Sequence, residues 1–146
     1  MDIRIAEAVP PDVPALVALL RELFTQDFSP DGARQERGLE LLLRMPERAR
    51  VARNEAGCAV GMVSAQLVVS TGTPSAWIKD RVVSSSYRRS GVGKSLLSQA
   101  LAWAMGNGAT RAQLLVDLDN VGAMEFYQHI GWKRTGAMRL MLSATI

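Results

Sequence analysis

The spacing of apolar residues changes several times along the chain, and each change marks an element. Ile3-Arg4-Ile5 alternates as a half-buried strand does, and Pro10-Pro11-Asp12 then breaks the pattern and offers Asp12 as a helix N-cap. Val13, Leu16, Val17, Leu20 and Leu23 recur at threes and fours, which predicts a helix to about Phe24 with one apolar stripe. A polar break over residues 26–32 separates it from a shorter helix, predicted from Leu39, Leu42 and Leu43 and stopped before Pro46. Residues 51–53 and 59–69 flank the turn Asn54-Glu55-Ala56-Gly57 and read as a hairpin. Residues 77–83 extend it with a third antiparallel strand, Ile78 and Val82 on one face and Trp77 and Val83 on the other.

Beyond Ser84-Ser85-Ser86, the turn Tyr87-Arg88-Arg89-Ser90-Gly91-Val92-Gly93-Lys94 leads into a helix with Leu96, Leu97, Ala100, Leu101 and Ala104 at helical spacing, ended by Gly106 and Gly108. Residues 113–118 predict a strand. Asn120 caps a helix that runs to Ile130, where Gly131 provides a left-handed stop. Two strands over 132–135 and 138–142 complete the order β-α-α-β-β-β-α-β-α-β-β. This is an α+β fold with a mixed, mostly antiparallel central sheet flanked by helices, expected to form one domain over residues 1–146.

Composition narrows the function more than it names it. Apolar residues make up 48% and charged residues 21% of 146 residues, an ordinary globular balance for a chain that folds alone or as a small oligomer such as a homodimer. No apolar run approaches the ~20 residues that span a bilayer, and Met1-Asp2-Ile3-Arg4 opens no secretory stretch. No membrane partner and a cytoplasmic location are therefore expected. One cysteine, Cys58, and one histidine, His129, leave no set of soft ligands, so no metal is expected. The net charge of +3 is spread in small groups, which favours solvated surface over a nucleic-acid tract.

The glycine turn carries the strongest chemical signal. Arg88, Arg89, Ser90, Gly91, Val92, Gly93 and Lys94 stand where a strand enters a helix, so unpaired N–H groups, the helix dipole and three cations converge on one place. A diphosphate suits it, because glycines keep side chains away from its oxygens. Gly93-Lys94-Ser95 also imitates the end of a P-loop, but the first glycine of Gly-x-x-x-x-Gly-Lys-Ser/Thr is replaced by Arg88, which argues against a nucleotide hydrolase.

Arg88-x-x-Gly91-x-Gly93 resembles the Gln/Arg-x-x-Gly-x-Gly/Ala loop of the GNAT family of N-acetyltransferases. Ile78-Lys79-Asp80-Arg81-Val82-Val83 resembles the family's fourth strand. Asn120-Val121-Gly122-Ala123-Met124-Glu125-Phe126-Tyr127-Gln128-His129-Ile130-Gly131-Trp132 is similar to its Asn-x-x-Ala-x-x-Phe/Leu-Tyr-x-x-x-Gly-Phe/Trp segment. The resemblance covers nearly the whole chain and is weakest over 24–50. It implies acetyl-CoA as co-substrate, lying between the fourth and fifth strands. Backbone groups of Arg81, Val82 and Val83 would face its pantetheine arm, the loop from Arg88 to Lys94 its pyrophosphate, and Asn120 its flank. It also implies Tyr127 as the acid that protonates the departing sulfur, against the alternative that a Phe-Tyr pair on an amphipathic helix is core.

Acetyl transfer to an amine needs a neutral nitrogen, a donor to the oxyanion and a proton for the thiolate. An N–H near Val83 is the donor the resemblance implies. Asp80 is the candidate general base, with Asp117 and Asp119 as rivals; where some members carry a glutamate on the fifth strand, this chain has Leu115 and Val116. The acceptor, a small-molecule or peptide amine, would be met by the helical pair and the third and fourth strands. Asp27, Asp31, Glu36 and Glu40 could attract its charge, and Gln66 and Ser70 share a strand face. A non-catalytic acyl-CoA-binding module stays open, since it would keep the loop without needing an acid.

Overall fold

The computed structural model describes residues 2–23, 32–44, 48–69, 71–135 and 142–145. The chain divides into two compact units, Met1–Leu114 and Leu115–Ile146. The first holds a five-stranded sheet in the order β1-β2-β3-β4-β5, made of β1 (Arg4–Glu7), β2 (Arg48–Arg53), β3 (Ala59–Val68), β4 (Ser75–Val83) and β5 (Arg111–Gln113). Neighbours pair antiparallel except β4 and β5, which are parallel, so the sheet is mixed as expected. Helices α1 (Val13–Leu23), α2 (Ala33–Leu42) and α3 (Val92–Gly106) belong to this unit.

The helices take opposite faces of the sheet. Leu16, Leu19 and Leu20 of α1 and Leu39 of α2 cluster with Met62 of β3 and Val82 of β4, the burial that the α1 stripe anticipates. On the other face Gly61 lies against Leu96 and Val92 of α3, and Ala76 packs with Ala104 at the far end of that helix. Small residues there let α3 approach the strands closely.

Asp12 departs from its expected role. It closes a short 3-10 turn (Pro10–Asp12) by accepting the Val9 N–H at 2.8 Å, and its buried carboxylate is gripped by both terminal nitrogens of Arg53, one at 2.7 Å. Burial alone would raise its pKa; the Arg53 hydrogen bonds, the Val9 N–H and the Arg53 charge outweigh that and hold it below the usual carboxylate value. The pair thus ties the entry of α1 to the end of β2 at neutral pH, a contribution lost as pH falls through the lowered value.

A β-bulge in β4 overturns the predicted faces of that strand. Met62 pairs with Val82 and Ser64 with Lys79, so Val63 alone spans Asp80 and Arg81. One extra residue inverts the alternation beyond it. Ile78, in step with Ala76, faces α3, whereas Val82 joins the α1 cluster; Trp77 and Val83 likewise part company. Strand β5 begins earlier than predicted and ends at Gln113, leaving 114–118 without strand structure. Residues 132–135, expected as a strand, are irregular, and most of the last expected strand lies outside the described residues.

In the second unit α4 (Val121–His129) starts at Asn120, whose side chain accepts the Ala123 N–H at 3.1 Å, and stops at Gly131 with φ 102°. No helix among the described residues is long and apolar enough to cross a membrane.

Candidate active site

The turn from β4 into α3 is built from local bonds that the sequence prescribes. The Ser84 N–H donates to Val60 O at 2.8 Å, the Tyr87 N–H to Ser84 O at 2.9 Å, and the Ser90 hydroxyl to Tyr87 O. Arg89 and Gly91 take left-handed backbone (φ 61° and 84°), and Gly91 becomes the N-cap of α3 without a capping side chain. The first helical bond runs from Ser95 N–H to Gly91 O at 3.0 Å, so the N–H groups of Val92, Gly93 and Lys94 precede any intrahelical acceptor. Val92 is buried and anchors the turn, while Arg89, Ser90, Gly91 and Lys94 are exposed around it.

Gly93 is a glycine for a reason that the sequence does not disclose. A Cβ there would stand 2.6 Å from Nη1 of Arg81, whose guanidinium reaches from the bulge onto the first turn of α3. Arg81, expected to contribute backbone, therefore also brings its guanidinium to the first turn of α3, at the candidate anion site. Arg88 is used differently: its Nε donates to Val83 O at 3.1 Å and its Nη2 pairs with Glu22 of α1 at 2.9 Å. It braces the end of β4 against α1.

Asp80 occupies the bulge itself. Its φ of 51° is left-handed, a conformation that Asp and Asn accept more readily than other side chains. Oδ2 lies 3.3 Å from the hydroxyl of Ser64, which is 1% exposed and also lies 3.2 Å from Lys79 O. Burial pushes the Asp80 carboxyl up, and the Ser64 hydroxyl and the Lys79 charge offset part of that rise. A carboxylate with a raised pKa is a stronger base than a solvated one. Past Trp77, which pairs with Gln113, no strand pairs with the outer edge of β4 among the described residues.

Asp80, Arg81, Val82 and Val83 thus run directly into the loop from Arg88 to Lys94, and Arg81 returns to touch it. The rivals Asp117 and Asp119 are exposed in the second unit, their carbonyls accepting the N–H groups of Asn120 and Val121. In that unit Tyr127 is buried, edge-on to Phe126 (centroids 5.2 Å apart) and tilted against Trp132 (5.6 Å). Glu36 and Glu40 are exposed on α2; Asp27, Asp31 and Ser70 lie outside the described residues. Sequence reasoning missed Ser64, Glu22 and the Arg81 side chain. Only Ser64 left a trace, as a polar residue inside the apolar run of β3.

The fold recurs widely among solved acetyltransferases. An aminoglycoside N-acetyltransferase solved in complex with CoA is 18% identical, with 99% of this chain and 95% of that chain covered at a TM-score of 0.84. Aminoglycoside 6'-N-acetyltransferase from Acinetobacter haemolyticus is 23% identical (98% and 99% covered, TM-score 0.82), and glucosamine-6-phosphate N-acetyltransferase from Arabidopsis thaliana is 17% identical (97% and 99%, TM-score 0.77). No curated protein matches the sequence significantly. The sequence itself matches the Acetyltransferase (GNAT) family over residues 13–132, across strands β2 to β5, the glycine loop and α4. With most of its length matched, the chain belongs to the GNAT family of acetyltransferases.

Proposed function

We propose that this enzyme moves an acetyl group from acetyl-CoA to a primary amine by direct attack, with Asp80 as general base and Tyr127 as general acid. The observation that carries the reading is Asp80: a half-buried carboxyl with a raised pKa, set on a bulge three residues before the strand meets the anion-binding turn. The family match runs through both compact units, which supports a single catalytic domain, and we place it in the cytoplasm.

The residues present fit the donor's diphosphate. First-turn N–H groups of Val92, Gly93 and Lys94 point out of α3, Gly91 leaves the approach open, and Arg81, Arg89 and Lys94 supply positive charge. A neighbour in fold holds CoA, which supports the same co-substrate here. Bound, acetyl-CoA supplies an activated acetyl thioester. Ser90 holds the loop's shape through Tyr87 O, and Arg88 keeps the end of β4 in place. Backbone groups of Arg81, Val82 and Val83 orient the donor, with an N–H near Val83 placed to receive negative charge on the acetyl oxygen. Asn120 is proposed as a further donor contact. Asp80 takes a proton from the acceptor ammonium, directly or through a water, so that the nitrogen reacts neutral. Tyr127 gives its phenolic proton to the sulfur as the C–S bond breaks, and the proton that the newly acylated nitrogen sheds restores the phenol directly or through water.

Tyr127→Phe is the test of the acid. The ring keeps its packing against Phe126 and Trp132, so melting temperature and CoA affinity should hold, while kcat falls about 10²-fold. The fall should shrink for acyl donors with a more acidic thiol. An unchanged kcat, with chemistry rate-limiting, would assign Tyr127 to packing alone.

A further inference from the structure

The sheet face that carries Asp80 also carries a charge no motif assigns. On β3, Ser64 and Gln66 alternate in step with Met62, whose side chain lies in the α1 cluster. Their cross-strand partners on β4 are Lys79 and Trp77. Gln66, Trp77 and Lys79 therefore share the face onto which the Ser64 hydroxyl meets Asp80, with successive pairs roughly 7 Å apart along the strands. Lys79 is exposed, Trp77 and Gln66 half-exposed.

Among the described residues, few groups set the charge on this face. Strand β3 carries none, and Arg81 leaves β4 toward α3. Helix α1 carries Arg21 and Glu22, the latter paired with Arg88, and α2 carries Arg34 and Arg37 with Glu36 and Glu40, so neither helix brings a large excess of either sign. In the proposed reaction Asp80 faces the reacting amine. Among the described residues of this face, Lys79 is the cation whose charge acts on Asp80, and it repels a second ammonium while attracting an anion.

We propose that the acceptor is an amine that also carries an anionic group, a carboxylate or a phosphate a few bonds from the reacting nitrogen, and that Lys79 selects it. The inference rests on Asp80 marking where the amine reacts. Polycationic acceptors are disfavoured because their second charge would meet Lys79. A nearby cation also lowers the pKa of the acceptor ammonium, which aids the reaction.

The test compares acceptors that differ only in the anion: glucosamine 6-phosphate with glucosamine, and 4-aminobutanoate with butylamine, with spermidine as the polycation. Wild type should favour at least one anionic member over its neutral partner by about tenfold or more in kcat/KM, and the pair that responds tells phosphate from carboxylate. Lys79→Met should remove that preference and Lys79→Glu invert it. The ratio is the readout because Lys79→Glu also raises the Asp80 pKa, which alters both members equally. Preference for spermidine, a ratio unmoved by Lys79→Glu in a folded variant, or no turnover of either anionic amine would overturn the proposal. The Asp80 reading fails separately, if Asp80→Asn acetylates the neutral amines at the wild-type rate.

Discussion

Asp80→Asn is expected to lower kcat by about 10²–10⁴-fold and, at neutral pH, to raise the melting temperature. The two effects share one cause. Asparagine tolerates the left-handed backbone at φ 51° and still accepts from the Ser64 hydroxyl, so the bulge should persist. It cannot take a proton. Burial raises the Asp80 pKa in the folded protein, so the folded state holds that proton more tightly than the unfolded state does. Stability from this group is greatest below the unfolded carboxyl value and declines as pH rises from there through the raised folded value. Above that window the buried charge is a cost that asparagine removes, and below it the two proteins should converge. Melting curves across pH, with kcat from the same preparations, check both signs. A variant that loses activity and stability together would mark Asp80 as structural.

Gly91→Glu is expected to weaken acetyl-CoA binding at least about 10²-fold while the protein stays folded. A Cβ at this position meets nothing within 4 Å, so packing is undisturbed. The left-handed φ of 84° costs a side chain about 1–2 kcal/mol, part of which is offset by placing a carboxylate at a helix N-terminus. That offset is the mechanism of the loss: the new carboxylate occupies the field prepared for a diphosphate and repels it. Gly91→Asn separates the causes, since asparagine accepts the left-handed backbone without charge and should keep far more of the affinity. Calorimetric titration of both variants decides it, and wild-type affinity in Gly91→Glu would move the diphosphate elsewhere.

Local chemistry made most of this site readable in advance. The glycine loop, the helix behind it and the Asn120 cap each follow from residues close in sequence, and each forms as expected. The bulge did not follow, because Ile78-Lys79-Asp80-Arg81-Val82-Val83 alternates well enough to be drawn as a straight strand. Only the cross-strand register reveals that Val63 faces two residues, and that register is a long-range property. With the bulge went the partners it creates: Ser64 beneath Asp80, and Arg81 over Gly93. Asp12 erred for a related reason, since a local capping signal was claimed by Arg53, 41 residues away. The short reach of β5 and the irregular backbone over 132–135 again reflect pairing, which apolar spacing alone does not fix.

The most direct test of amine acetylation is the release of free thiol from acetyl-CoA, followed with and without an amine across pH. Release should require the amine, yield one N-acetylated product per thiol, and rise with pH through an ionisation above the ordinary carboxylate value that disappears in Asp80→Asn. Tight binding of acetyl-CoA with no amine-dependent thiol release would contradict the account and leave a module that binds the acyl donor without using it.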